Sequence, residues 1–108
     1  MRQLRALPSK PTALFVWHDR TAYRILEACE EQRLRVPHDL SVVGYDGLVW
    51  PSTSPHVVAT VEVPVDDMAE AGVALLNRLI EGAAGPLSQT LPVRFHPGTT
   101  LGPVISQS

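Results

Sequence analysis

The chain has 108 residues, 44% of them hydrophobic and 19% charged, with a formal net charge of −2. That suffices for one small globular domain, and with Lys10 as the only lysine and no basic cluster it lacks the electrostatic footprint of a chain that grips DNA by itself. A single cysteine, Cys29, excludes an internal disulfide and suits a reducing compartment, and no run approaches membrane-spanning length.

In chain order, Met1–Leu7 carries charge but no apolar core of signal-peptide length, so a soluble, cytoplasmic chain is expected. Leu4 and Leu7 stand at helical spacing, and Pro8-Ser9-Lys10-Pro11 ends that element; residues 1–10 read as the remnant of a preceding helix. Ala13–Trp17 is a continuous apolar run, the pattern of a strand covered on both faces. Asp19 then offers a side-chain cap to a helix over residues 20–33, whose stripe is Ala22, Ile25, Leu26 and Cys29. The return Arg33–Pro37 has no glycine to take a left-handed helix end. A second strand follows over 40–45.

The loop from Asp46 to His56 holds Gly47, Trp50, Pro51 and Pro55. Val57–Val63 is a third strand of β-branched character. Pro64-Val65-Asp66-Asp67 opens a helix to about Glu81, with the acidic pair at the positive end of its dipole. The helix stripe is Val65, Met68, Gly72, Leu75, Leu76 and Leu79, and Gly82 stops it. Leu91–His96 forms a last short strand, with an irregular tail after Gly98.

Two segments share one grammar: an apolar strand ending in an aromatic, then an aspartate. They are Thr12–Asp19 and Val36–Asp46, with one helix between them. Two parallel strands joined by a crossover helix bring both carboxyl ends to one sheet edge, and ligands of open α/β sheets bind there. Asp46 reads as a ligand-binding carboxylate, able to accept charge-assisted hydrogen bonds from hydroxyl or amide donors, or as a turn residue beside Gly47. His18 offers one donor and one acceptor to a ligand, or is a solvated loop histidine. Trp17 and Tyr45 end their strands as cleft wall or core, with faces suited to stacking. Asp19 is expected as a structural helix cap.

The four histidines show no metal-ligand spacing. Cys29 sits in the helix stripe as a small hydrophobe. No nucleophile elbow, phosphate loop or dinucleotide glycine pattern is present. An enzyme, a metal site and a cofactor are therefore not expected.

Taken together, Pro11-Thr-Ala-Leu-Phe15, the string Val36-Pro-His-Asp-Leu-Ser-Val-Val-Gly-Tyr-Asp46, Pro55 through Met68, and Leu91-Pro92 with Gly98-Thr-Thr100 resemble the effector-binding core of the LacI/GalR family of bacterial transcription regulators. The resemblance covers nearly all of residues 5–103 and implies an α/β fold. That fold is a partial periplasmic-binding-protein-like (type I) lobe, with a parallel sheet and flanking helices. It further implies that residues 11–63 form the carboxy-lobe βαβ unit, that the helix over 64–82 resembles one of the amino lobe, and that 91–103 is the return strand. The chain resembles the last third of such a regulator, without its helix-turn-helix, and so reads as a fragment.

The resemblance also implies effector contacts at Asp46 and His18, the latter standing where the family usually has Asn, with Trp17 and Tyr45 beside them. Val63 stands where many sugar-responsive members have Gln, and Pro97 stands near the family's usual Arg. Helix 20–33 and loop 48–57 resemble a dimerisation surface. Tyr23 and Trp50 are candidate interface residues there, unless Tyr23 packs on its own loop. The implied partners are a carbohydrate-like effector and a second copy of the chain, with DNA held only through a headpiece and no membrane. The alternatives are a periplasmic-type solute-binding protein and a stand-alone dimerising module.

Overall fold

The computed structural model describes residues 3, 6–82, 84–85 and 87–104, so the helix remnant expected around Leu4 lies largely outside the described residues. The elements are β1 (Ala13–Phe15), α1 (Asp19–Glu31), β2 (Ser41–Val43), β3 (Thr60–Glu62), α2 (Val65–Ile80) and β4 (Arg94–His96). They fall into two compact units, one of residues 1–62 and 95–108, the other of residues 63–94.

In the first unit, β1 and β2 pair in parallel, with Ala13 opposite Ser41, Leu14 opposite Val42 and Phe15 opposite Val43. The far side of β2 continues the parallel pairing: Val43 bridges Ala59 and Asp46 bridges Glu62, with Gly44 N–H donating to Ala59 O at 2.8 Å. β3 in turn pairs with β4. The crossover α1 packs its stripe onto this sheet. Ala22, Tyr23, Leu26 and Cys29 join Val16, Leu40, Val42 and Val58 in one core, with Leu14, Ile25, Leu34 and Val36 against it. Burial of these side chains is the main source of stability, at about 25 cal/mol per Å² of apolar surface.

The first strand differs from the two-faced burial that its apolar run suggests. Leu14 and Val16 turn to the core, whereas Phe15 is 72% exposed and Trp17 76%. A continuous apolar run does not distinguish one covered face from two, and here the Phe15–Trp17 face is open among the described residues.

The end of α1 solves its missing glycine by strain. Arg33 itself takes the left-handed conformation, with φ 56°. Its N–H donates to Glu30 O at 3.1 Å, and Leu34 N–H donates to Cys29 O at 2.8 Å. This is a Schellman closure built on an arginine.

Residues 99–102 lie along β2. Thr100, fully buried, donates its hydroxyl to Val42 O at 2.6 Å and accepts Ala59 N–H at 2.8 Å. Its carbonyl accepts Val42 N–H. Ser41 Oγ and the Gly102 backbone complete the seam.

The second unit is dominated by α2, with Asp66 and Asp67 in its first turn and Arg78 in its last, as the helix dipole favours. None of its residues is buried; Val65, Met68, Val73, Leu76, Leu79 and Ile80 are all exposed. No described helix is long and apolar enough to cross a membrane.

Candidate functional site

The carboxyl ends of β1 and β2 meet at one edge of the first unit, where Asp19 N–H donates to Tyr45 O at 3.0 Å. Here the cap expected of Asp19 falls to its neighbour. The N-cap of α1 is His18, in extended conformation, not Asp19. His18 Nδ1 accepts Thr21 N–H at 3.1 Å, and Nε2 lies 3.4 Å from Thr21 Oγ1.

Asp19 is the first helical residue and is fully buried. One carboxylate oxygen accepts the N–H groups of Gly47 and Leu48 at 2.9 and 2.8 Å. The Thr60 hydroxyl sits 2.7 and 2.9 Å from its two oxygens. A buried carboxylate is tolerated only when its acceptor sites are filled, and these three donors fill them. Asp19 thus ties the start of α1 to the loop after β2 and to β3. Asp followed by a helix fits the pattern of a cap, and only long-range partners reveal the other role.

Two glycines make room for this tie. Gly44 is buried, and a side chain there would collide with the Asp19 carboxylate. Gly47 has φ 86°, and a Cβ on it would lie 2.8 Å from Glu62 Cα. Gly44, Leu48 and Thr60 carried no functional signal in the sequence, although an isolated glycine in a strand pattern often marks a close approach.

Asp46 stands between these glycine-dependent contacts. Its backbone has φ 125°, a conformation that side-chain-bearing residues rarely adopt. Its N–H donates to Val61 O at 2.9 Å. Its side chain is half-buried, and among the described residues its carboxylate accepts no hydrogen bond. The group is therefore held by backbone while its acceptor oxygens remain available. Glu62 and His96 share this edge, with His96 Nε2 3.0 Å from Glu62 Oε2.

Tyr45 is half-buried. Trp17 is open to solvent, and its ring centroid lies 4.0 Å from that of His18 at an interplanar angle of 45°. Trp17, His18, Tyr45 and Asp46 are thus gathered at the strand-end edge. Trp17 is not core.

A sequence profile described as the periplasmic binding protein-like domain matches residues 1–101. The chain belongs to this family. Its relatives include the ribose operon repressor of Escherichia coli K12, 33% identical over 82 residues that cover 75% of this chain and 25% of that protein. The repressor PurR of Escherichia coli O139:H28 is 33% identical over 98 residues, covering 90% of this chain and 28% of that protein. This periplasmic binding protein-like chain therefore spans about a quarter of the length of those curated relatives.

Among solved structures, the lac repressor dimer bound to operator and the anti-inducer ONPF superposes with a TM-score of 0.75 at 33% identity, over 83% of this chain and 32% of that one. A LacI-family regulator from Lactobacillus casei with bound sucrose gives 0.73 at 27% identity, over 93% and 38%. The likeness to LacI-family regulators read from the strings around Asp46 is thus found by sequence and by structure. The named relatives are repressors, not enzymes.

The two candidate interface residues part company. Tyr23 is 3% exposed, and its hydroxyl accepts Val58 N–H at 3.3 Å. A ring buried in its own core cannot anchor a second chain, so the expectation for Tyr23 is corrected. Trp50 stays at the surface, with the Arg20 guanidinium 5.5 Å from its ring centroid, a cation–π geometry.

Away from the strand-end edge, a cavity of about 220 Å³ opens between the second half of α1 and Ser54–His56, with Leu26, Cys29, Leu34 and Val36 in its wall. Burial pushes the Cys29 thiol up from its ordinary pKa, which keeps it in the unreactive protonated form. No metal-binding group of His, Cys, Asp or Glu occurs among the described residues.

Proposed function

We propose that this chain is the carboxy-lobe part of a LacI-type regulator's effector-sensing and dimerisation domain. A small molecule rich in hydroxyl donors, of carbohydrate or nucleoside type, sits at the strand-end edge. Asp46 is its hydrogen-bond acceptor, and Trp17, His18 and Tyr45 stand beside it. The observation that carries this reading is the Asp46 carboxylate, half-buried at the carboxyl end of a parallel strand, fixed by its backbone and accepting nothing from the described residues. That is the placement at which open α/β sheets receive ligands.

Val63–Arg94, with the exposed stripe of α2, belongs in this reading to the neighbouring lobe. Trp50 and Arg20 lie on the face through which two copies join in a homodimer. DNA is contacted by a helix-turn-helix headpiece outside this sequence, in the cytoplasm. Effector binding shifts operator affinity through coupling between the two sites.

Calorimetry on the intact regulator with ribose, glucose, sucrose and nucleosides tests the reading. One of them binds, and Asp46→Ala weakens that binding by about tenfold or more, the scale of a charge-assisted hydrogen bond. Unchanged affinity in Asp46→Ala rejects Asp46 as the contact.

A further inference from the structure

His18 and Trp17 occupy the edge together, but their geometry gives them different tasks. A backbone N–H can only donate, so His18 Nδ1, which faces Thr21 N–H at 3.1 Å, must offer its lone pair. The neutral ring then carries its hydrogen on Nε2, and that nitrogen points at the Thr21 hydroxyl, 3.4 Å away. Both nitrogens of the imidazole are thus turned to the first turn of α1. What the ring leaves for its neighbour is its face, and the Trp17 indole leans on it at 4.0 Å. The indole itself is 76% exposed, and it follows the carboxyl end of β1 as Asp46 follows that of its parallel neighbour β2.

We propose that His18 is a positioning residue that caps α1 and braces Trp17, and that the indole of Trp17 is the wall that receives the ring of a sugar. The C–H face of a furanose or pyranose covers the indole, while its hydroxyls donate to Asp46. This inference rests on the effector-site reading above, and it moves the contact from the histidine to the tryptophan. It also explains how a histidine can stand at this position without meeting the ligand. Its ring supplies the N-cap that Asn supplies equally well, and adds a surface on which an aromatic neighbour can rest.

Two experiments on the intact regulator test it. Nitrogen-15 NMR of labelled histidines, assigned with His18→Asn, reads the ring state without any ligand. The Nε2–H tautomer is expected; the Nδ1–H tautomer overturns the proposal.

The second experiment is a double-mutant cycle read by calorimetry with the tightest-binding of ribose, glucose and sucrose. Trp17→Ala weakens binding about fivefold, as loss of an aromatic contact does. His18→Asn keeps the cap and the helix content by circular dichroism, yet weakens binding severalfold. In the Trp17→Ala background it weakens binding no further. Multiplying effects mean that His18 touches the sugar itself and overturn the proposal. Binding untouched by both changes but lost in Asp46→Ala overturns the proposal and leaves the effector-site reading standing. No sugar binding, or binding untouched by all three, removes both.

Discussion

The carboxylate of Asp19 occupies the space that a side chain on Gly44 would need. Gly44→Ala therefore forces a choice between displacing a buried, fully bonded carboxylate and bending β2. Overpacking of this kind costs about 3 kcal/mol. Urea unfolding of the variant is expected to show a lower midpoint with an unchanged slope.

Asp19→Ala removes the acceptor shared by Gly47, Leu48 and Thr60. Donors left unpaired near the core cost about 3 kcal/mol together. The loop carrying Asp46 then loses its tether, so under the proposed effector-site reading ligand affinity is expected to fall as well. Thr60→Val, which removes one donor and keeps the acceptor, is expected to cost about 1 kcal/mol. Equal costs for the two variants in urea titrations would argue against the tie.

Arg33→Gly is a stabilising change. Arg33 holds φ 56° at the end of α1, where a residue with a Cβ pays about 1 kcal/mol that glycine does not. Glycine's greater unfolded-state entropy offsets part of this. A net gain of about 0.5 kcal/mol is expected, visible as a higher melting temperature.

Acid weakens the fold through Asp39. Its carboxylate accepts Arg35 N–H at 2.8 Å, and the Arg35 side chain and His38 lie on it as well. The Arg35 amide first, then the Arg35 guanidinium and the His38 ring, hold its pKa far below the usual carboxylate range. A carboxyl whose folded pKa is depressed stabilises fully above its unfolded value, near 3.9. That contribution is lost as the pH falls from there towards the folded value. Asp39 is close to solvent, so the effect is modest. The stability difference between the wild type and Asp39→Asn, measured in urea, is expected to shrink steadily from pH 5 to pH 2.5.

The layout of strands and helices was legible because periodicity reports which residues face a core. The stripe Ala22, Leu26 and Cys29 fixed the face of α1, and the two strand-to-aspartate units placed Asp46 at an edge. What stayed hidden depends on contacts far apart in sequence. Asp19 looks like a cap because a helix follows it. Its real partners lie 28, 29 and 41 residues away. Tyr23 stood off the expected stripe, but a ring with one hydroxyl can be buried when a backbone N–H such as that of Val58 meets it. Phe15 and Trp17 extended an apolar run that said nothing about how many faces would be covered. The left-handed Arg33 was foreshadowed only by the missing glycine.

The seam made by residues 99–102 has a consequence for solubility. β2 meets β1 on one side, and on the other its first half is paired by Thr100 and Gly102 and its end by Ala59 and Val61. A chain ending before Thr100 would bare the amide and carbonyl of Val42, together with the amide of Ala59, on an apolar strand. Such a bare row of backbone groups is a template for pairing with other chains. Residues 99–102 therefore act as a guard against aggregation, a task in which the Thr100 hydroxyl serves both Val42 and Ala59.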